Sequence, residues 1–111
     1  DHRVRIGCAA LQWDAAAARA AQSHSEDMAR RNYFSHTSPE GANVGERVRA
    51  AGGNWRAVAE NIAWGQRSAD EVVRSWLSSP AHRQNIERCI YTRHGVGYAD
   101  GRWTHVFYTP L

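Results

Sequence analysis

The chain has 111 residues and a formal net charge of +3, with 14 Lys/Arg against 11 Asp/Glu. That length suits one domain, residues 1–111, with a single core, and no apolar run approaches the roughly 18 residues of a membrane span. Every basic residue is an arginine, and the arginines are scattered from Arg3 to Arg102 without a strip of interleaved aromatics, which argues against nucleic acid as a partner.

In chain order, Leu11 to Asn32 carries helical periodicity: Trp13, Ala17, Ala20, Ala21, His24, Met28 and Arg31 recur at spacings of three and four. The run Ala15-Ala16-Ala17-Ala18 favours helix, and small side chains let another element approach closely. His24 falls on the apolar stripe and reads as a satisfied core histidine. Turn formers from Tyr33 to Gly41 then break the helix. His36 lies in that loop, where functional side chains concentrate. A short helix over Val44 to Ala51 is stopped by Gly52-Gly53.

Val58 to Trp64 reads as a strand ended by Gly65. It carries Glu60, a carboxylate among the apolar neighbours Ala59, Ile62 and Ala63. Ser68 followed by Glu71 has capping-box spacing, opening a helix with Val72, Val73, Trp76 and Leu77 on its apolar stripe. Ser79-Pro80 starts another helical turn, which carries His82. The tail is a hairpin: His94 to Ala99, the two-residue turn Asp100-Gly101, then Arg102 to Thr109. On the last strand His105 alternates with Trp103 and Phe107, so it is expected to pack with the aromatics. Trp64 and Trp76 are expected in the core. Trp55, following Gly52-Gly53-Asn54, is the tryptophan expected at the surface, where it would line a ligand site.

Helices interspersed with a few antiparallel strands make an α+β domain. Cys8 and Cys89 stand alone, with no C-x-x-C pair, which leaves an intramolecular disulfide or two separate buried thiols. The disulfide is the preferred reading and implies an oxidising compartment.

Three short segments carry the residues able to bind a metal or move a proton near neutral pH: Phe34-Ser35-His36, Ala59-Glu60-Asn61-Ile62-Ala63, and Ser75-Trp76-Leu77-Ser78-Ser79-Pro80-Ala81-His82-Arg83-Gln84-Asn85-Ile86. With Gly95-Val96-Gly97 and the aromatic final strand, their order and spacing resemble the CAP superfamily of cysteine-rich secretory, antigen 5 and pathogenesis-related 1 proteins, and in particular its short secreted bacterial members. The resemblance runs from about Leu11 to the C-terminus. It implies a three-layer α-β-α sandwich with a small central antiparallel sheet. It also implies a shallow cleft shared by His36 and Glu60. His82, on its short helix, either points into that cleft, the preferred reading, or caps the preceding Trp76 helix through a backbone bond. Ser79 and Trp55 are further binding candidates.

The pattern departs from many eukaryotic relatives, whose second glutamate lies three residues after the tryptophan; here that place is Ser79. His82 would have to supply the second imidazole. Two imidazoles and a carboxylate suit zinc or another divalent cation, with His36 and His82 as ligands, although no H-E-x-x-H helix preorganises them. No G-x-S-x-G elbow supports a serine nucleophile beside His36 or His82. The expected function is therefore an extracellular or periplasmic binding module, monomeric, with no required cofactor. Its ligand would be a lipid, a sterol, a cell-envelope component or a protein. The alternative is a metal-assisted or acid/base hydrolase acting through His36, Glu60 and His82.

Overall fold

Asp14 fixes where the longest helix begins. In the computed structural model, which describes residues 2–111, its side chain accepts a hydrogen bond from Ala17 N at 3.0 Å, capping α2, Ala15–Arg31. The helix ends at Asn32, whose left-handed φ of 55° is one that asparagine tolerates. It starts later than the periodicity suggests because Gln12–Trp13, here β1, is extended. Ahead of it a single helical turn, α1, covers His2–Arg5.

The remaining elements are α3 (Val44–Ala50), β2 (Trp55–Trp64), α4 (Ala69–Leu77), α5 (Pro80–Glu87), β3 (Arg93–Ala99) and β4 (Arg102–Pro110). The strand order is β1-β3-β4-β2, with β2 and β3 both antiparallel to β4. β1 runs parallel to β3 through Gln12↔Arg93 and Trp13↔His94, so the sheet is mixed rather than wholly antiparallel. Two residues are too few for an alternating pattern to show, which is why this strand escapes the sequence. The β3–β4 turn has left-handed φ at both Asp100 (46°) and Gly101 (80°), as a two-residue hairpin requires.

Helices cover both faces. On one, α2 and α3 meet the sheet through Ala17, Ala20, Ala21, Val48, Val106 and Tyr108. The fit is close enough that a Cβ on Gly95 would lie 2.1 Å from Ala18 N, and one on Gly97 would lie 2.4 Å from Gln22 Cα. The Gly-Val-Gly segment is therefore a bed for the helix backbone. On the other face α4 and α5 bring Val72, Trp76 and Ile86 onto Ala63, Tyr91 and Phe107. Burying a side chain of this size contributes roughly 1.5–3 kcal/mol.

Two tryptophans depart from expectation. Trp64 is 52 % exposed, because it ends β2 at the rim, where the Arg102 guanidinium covers its ring at 4.0 Å. Trp55 is half-buried on α3: its Nε1 donates to Gly45 O at 2.8 Å, and Arg49 lies over its ring at 4.2 Å. Trp76 is buried as expected. Cys8 and Cys89, 81 residues apart, are joined by a disulfide. Beside it Arg3, buried, donates to the carbonyls of Ala9, Ile86, Arg88 and Tyr91, tying the first helical turn to the segment after α5.

Candidate functional site

β2 is an edge strand, and its outer carbonyls would be open to solvent or to another chain. Two side chains of the Trp76–Asn85 stretch close them. Trp76 Nε1 donates to Ile62 O at 3.0 Å, and Asn85 Nδ2 donates to Glu60 O at 3.3 Å. Asn85 also donates to Asn61 Oδ1 at 2.9 Å, while Asn61 Nδ2 donates to the His82 carbonyl at 3.0 Å. Much of the two motifs is thus a staple that locks α5 to β2.

Side chains alternate along β2, so Glu60 faces the α2–α3 layer and Asn61 faces α5. The Glu60 side chain is 1 % exposed and uses both oxygens. His36 Nδ1 donates to Oε1 at 2.9 Å, and Arg47 Nη2 donates to Oε2 at 2.6 Å. The buried charge is therefore balanced by Arg47, itself 11 % exposed. With Nδ1 donating to Glu60, the neutral form of His36 carries its lone pair on Nε2, on a side chain that is 56 % exposed. A carboxylate behind an imidazole fixes its tautomer and direction, an arrangement used by general bases and by metal-binding histidines alike.

The loop carrying His36 is held from several sides. His24 Nε2, from the buried face of α2, donates to Ser35 O at 2.7 Å. Arg31 bonds both Asp27 and Glu40, and Tyr33 Oη donates to Asp27 at 2.6 Å. Hydrogen bonds from Arg31 and then Ser38 hold the Glu40 carboxyl down at about 2. His24 is thus the core histidine that periodicity suggests, and it also grips the carbonyl next to His36. Burial lowers its proton affinity, so the ring is held neutral.

His82 is half-buried on α5, and its ring makes no hydrogen bond among the described residues. Burial first, and then the nearby His36, lower its proton affinity, which places the two imidazoles within electrostatic reach. Ser79 occupies the N-cap of α5 without a capping hydrogen bond and has no bond to the His36–Glu60 pair. Trp55 stands at the other end of β2, against α3, and does not join the group.

Zinc on a His36–Glu60–His82 tripod does not fit this geometry. Both Glu60 oxygens are already bound, and no group of three His, Cys, Asp or Glu placed to hold a metal occurs among the described residues. What stays open to a cation here is imidazole nitrogen only. Arg47 is the site residue that sequence reading missed. In Val44-Gly45-Glu46-Arg47-Val48-Arg49 it looks like any charge on a solvated helix face, and only the fold supplies its partner. Behind it a polar cavity of about 380 Å³ opens, lined by His24, Asp27, Arg31, Ser38, Glu40 and Arg47 among others.

This three-layer α-β-α fold, with its mixed four-stranded sheet, is that of a known class. The cysteine-rich secretory protein (CAP) family matches residues 1–109, and the chain belongs to that family. It is 36% identical over 107 residues to the Bacillus subtilis protein YkwD, covering 95% of this chain and 42% of that protein. A solved extracellular SCP-domain protein of Bacillus anthracis superposes with a TM-score of 0.93 at 34% identity, over 96% of this chain and 36% of that one. An outer surface protein of Borrelia burgdorferi gives a TM-score of 0.88 at 18% identity, over 99% of this chain and 85% of that one, and there the likeness is of fold alone. The chain spans less than half the length of the Bacillus proteins it matches.

Proposed function

We propose that this chain is an extracellular binding module whose recognition element is the imidazole of His36, aimed by Glu60, with His82 as its neighbour across the cleft. One observation carries the reading: Nδ1 is tied to a buried carboxylate that Arg47 holds from the other side, which leaves Nε2 as an oriented acceptor facing solvent. An acceptor of this kind suits hydroxyl or amide donors, and such donors abound in the glycan and peptide of a cell envelope. The extracellular setting named for the Bacillus anthracis protein supports that location. Zinc or a similar divalent cation would meet only His36 Nε2 and His82 here, so binding would be weak and no cofactor is required.

A second reading has a specific observation behind it. A carboxylate-backed histidine is a competent general base, and with water as nucleophile it would support hydrolysis. His36 Nε2 would take a proton from water while Glu60 steadies the charged ring.

The experiment is sedimentation of wild type and His36→Ala with purified cell-wall sacculi and with lipid vesicles, with product analysis of the sacculi afterwards. Binding to sacculi that falls at least tenfold in His36→Ala supports the module, and released fragments that vanish in the variant support the hydrolase. Equal binding and equal products for both proteins would remove His36 from the function.

A further inference from the structure

A second pair of histidines lies on the opposite face of the sheet from Glu60, and nothing in the cleft uses it. His94 Nδ1 and His105 Nε2, on neighbouring strands, are 2.9 Å apart. His105 stacks on Phe107 at 4.0 Å and meets Trp76 at 5.7 Å, while Trp13 stands edge-on to His94 at 5.6 Å. The pair opens into a pocket of about 330 Å³ whose apolar walls are Leu11, Val73, Leu77 and Ile86. Two polar rings in such surroundings are costly to desolvate for one mutual hydrogen bond, where aromatic hydrocarbon would pack as well.

We propose that His94 and His105 form a two-imidazole clip for a late first-row divalent cation such as zinc or copper(II), with water completing the coordination. The ring separation leaves room for this without moving the strands. A metal about 2.0–2.1 Å from each nitrogen lies about 3.2 Å from each ring centre, so tetrahedral ligands have ring centres about 5.2 Å apart. The observed centres are 5.1 Å apart. The rings need only turn about those centres, opening the nitrogen separation from 2.9 Å to about 3.3 Å.

Proton accounting agrees. One facing nitrogen now carries the shared proton, and a metal needs lone pairs on both. The donor ring therefore moves that proton to its outer nitrogen, and no proton leaves the protein. Neither outer nitrogen is sealed without a partner among the described residues. Burial pushes His105 down to about 3, with further contributions from His94 and Arg3, and burial and then Arg3 lower His94. Both rings are therefore neutral ligands at pH 7. Arg3 works against a cation here, although its guanidinium is spread over four carbonyls and Glu87, which holds His2 at the pocket wall, adds an opposing charge. Imidazole ligation and this opposing field together select metals that favour nitrogen over the oxygen-seeking calcium and magnesium.

The test titrates zinc chloride and copper(II) sulfate into a His36→Ala/His82→Ala background, which removes the cleft imidazoles. Calorimetry should find one ion per chain, with affinity at least tenfold lower when His94→Gln is added. A nitrogen-15 spectrum of the histidine side chains should show zinc moving His94 Nδ1 and His105 Nε2 in the unmutated protein, which needs no variant to fold. Shifts confined to other histidines, no binding in the background protein, or an affinity unchanged by His94→Gln would each overturn the clip.

Discussion

Arg47 and His36 hold opposite oxygens of one buried carboxylate, at 2.6 and 2.9 Å, and they approach it from different elements. Arg47 comes from α3 and His36 from the loop before it, while Glu60 sits on the edge strand. The three form a chain from buried cation to buried anion to exposed imidazole, which converts a charge balance in the interior into a fixed direction at the surface.

That chain predicts the effect of cutting it. Arg47→Met leaves the 1 % exposed Glu60 side chain facing only His36, and breaking a buried ion pair from one side typically costs about 3–5 kcal/mol. Thermal and urea melts should show a loss near that size. The double variant Arg47→Met/Glu60→Gln should recover a good part of it, because the uncompensated charge is then gone. Single and double variants of equal stability would show that the pair is not coupled.

His24 and His36 should respond in opposite ways. His24 is 1 % exposed and donates to Ser35 O, so His24→Ala leaves a cavity and an unpaired carbonyl, at about 1–3 kcal/mol. His36→Ala removes a side chain that is 56 % exposed while Arg47 still balances the Glu60 charge, so it should cost less than His24→Ala while removing cleft binding. A His36→Ala protein that melts well below His24→Ala would reverse these roles.

The disulfide should account for a large share of the stability. Closing a loop of 81 residues is worth roughly 4–5 kcal/mol in the chain-entropy picture. Mass measurement after alkylation, with and without reductant, checks the bond. The midpoint of urea unfolding should drop sharply on reduction. An unchanged midpoint would mean that the Arg3 hydrogen bonds hold the N-terminal segment without it.

What is legible in the sequence is what short-range chemistry controls. The cap at Ser68, the helix stop at Asn32 and the turn at Asp100-Gly101 each depend on residues a few positions apart, and each appears in the structure. Glu60, His36 and His82 stand out because whole motifs surround them. Arg47 does not, since its partner lies 13 residues away across a turn and a strand. His105 does pack among aromatics as alternation suggests, but its bond to His94 depends on strand pairing that alternation alone does not give. Trp76 is buried as its helical stripe suggests, whereas the settings of Trp64 and Trp55 are illegible for a similar reason. Trp64 lies at a sheet rim and Trp55 beneath an arginine, and neither is a property of local sequence.

Acid should destabilise this domain earlier than carboxylates alone would explain. Burial leads the causes that lower His24, His82, His94 and His105, with His105 reaching about 3 against an ordinary 6.5. A histidine whose folded pKa is depressed binds fewer protons folded than unfolded at any pH between the two values. Its stabilisation is therefore complete above about pH 6.5 and is lost as pH falls below that, down to the folded value. For a group as strongly shifted as His105 the loss is about 1.4 kcal/mol per pH unit across most of that window. Asp14, Asp27, Glu40 and Glu87 are also held below the usual carboxylate range, and their contributions fade only below about pH 4. Melting temperature measured from about pH 8 to about pH 4.5 should accordingly be flat above about 7 and begin to fall near about 6.5. The fall should be shallower in His105→Gln, once its melting temperature is referred to its own value at the alkaline end. A profile that stays level to about pH 5 in the wild type would mean that these imidazoles titrate alike in the folded and unfolded chain, and that burial does not hold them neutral below about pH 6.5.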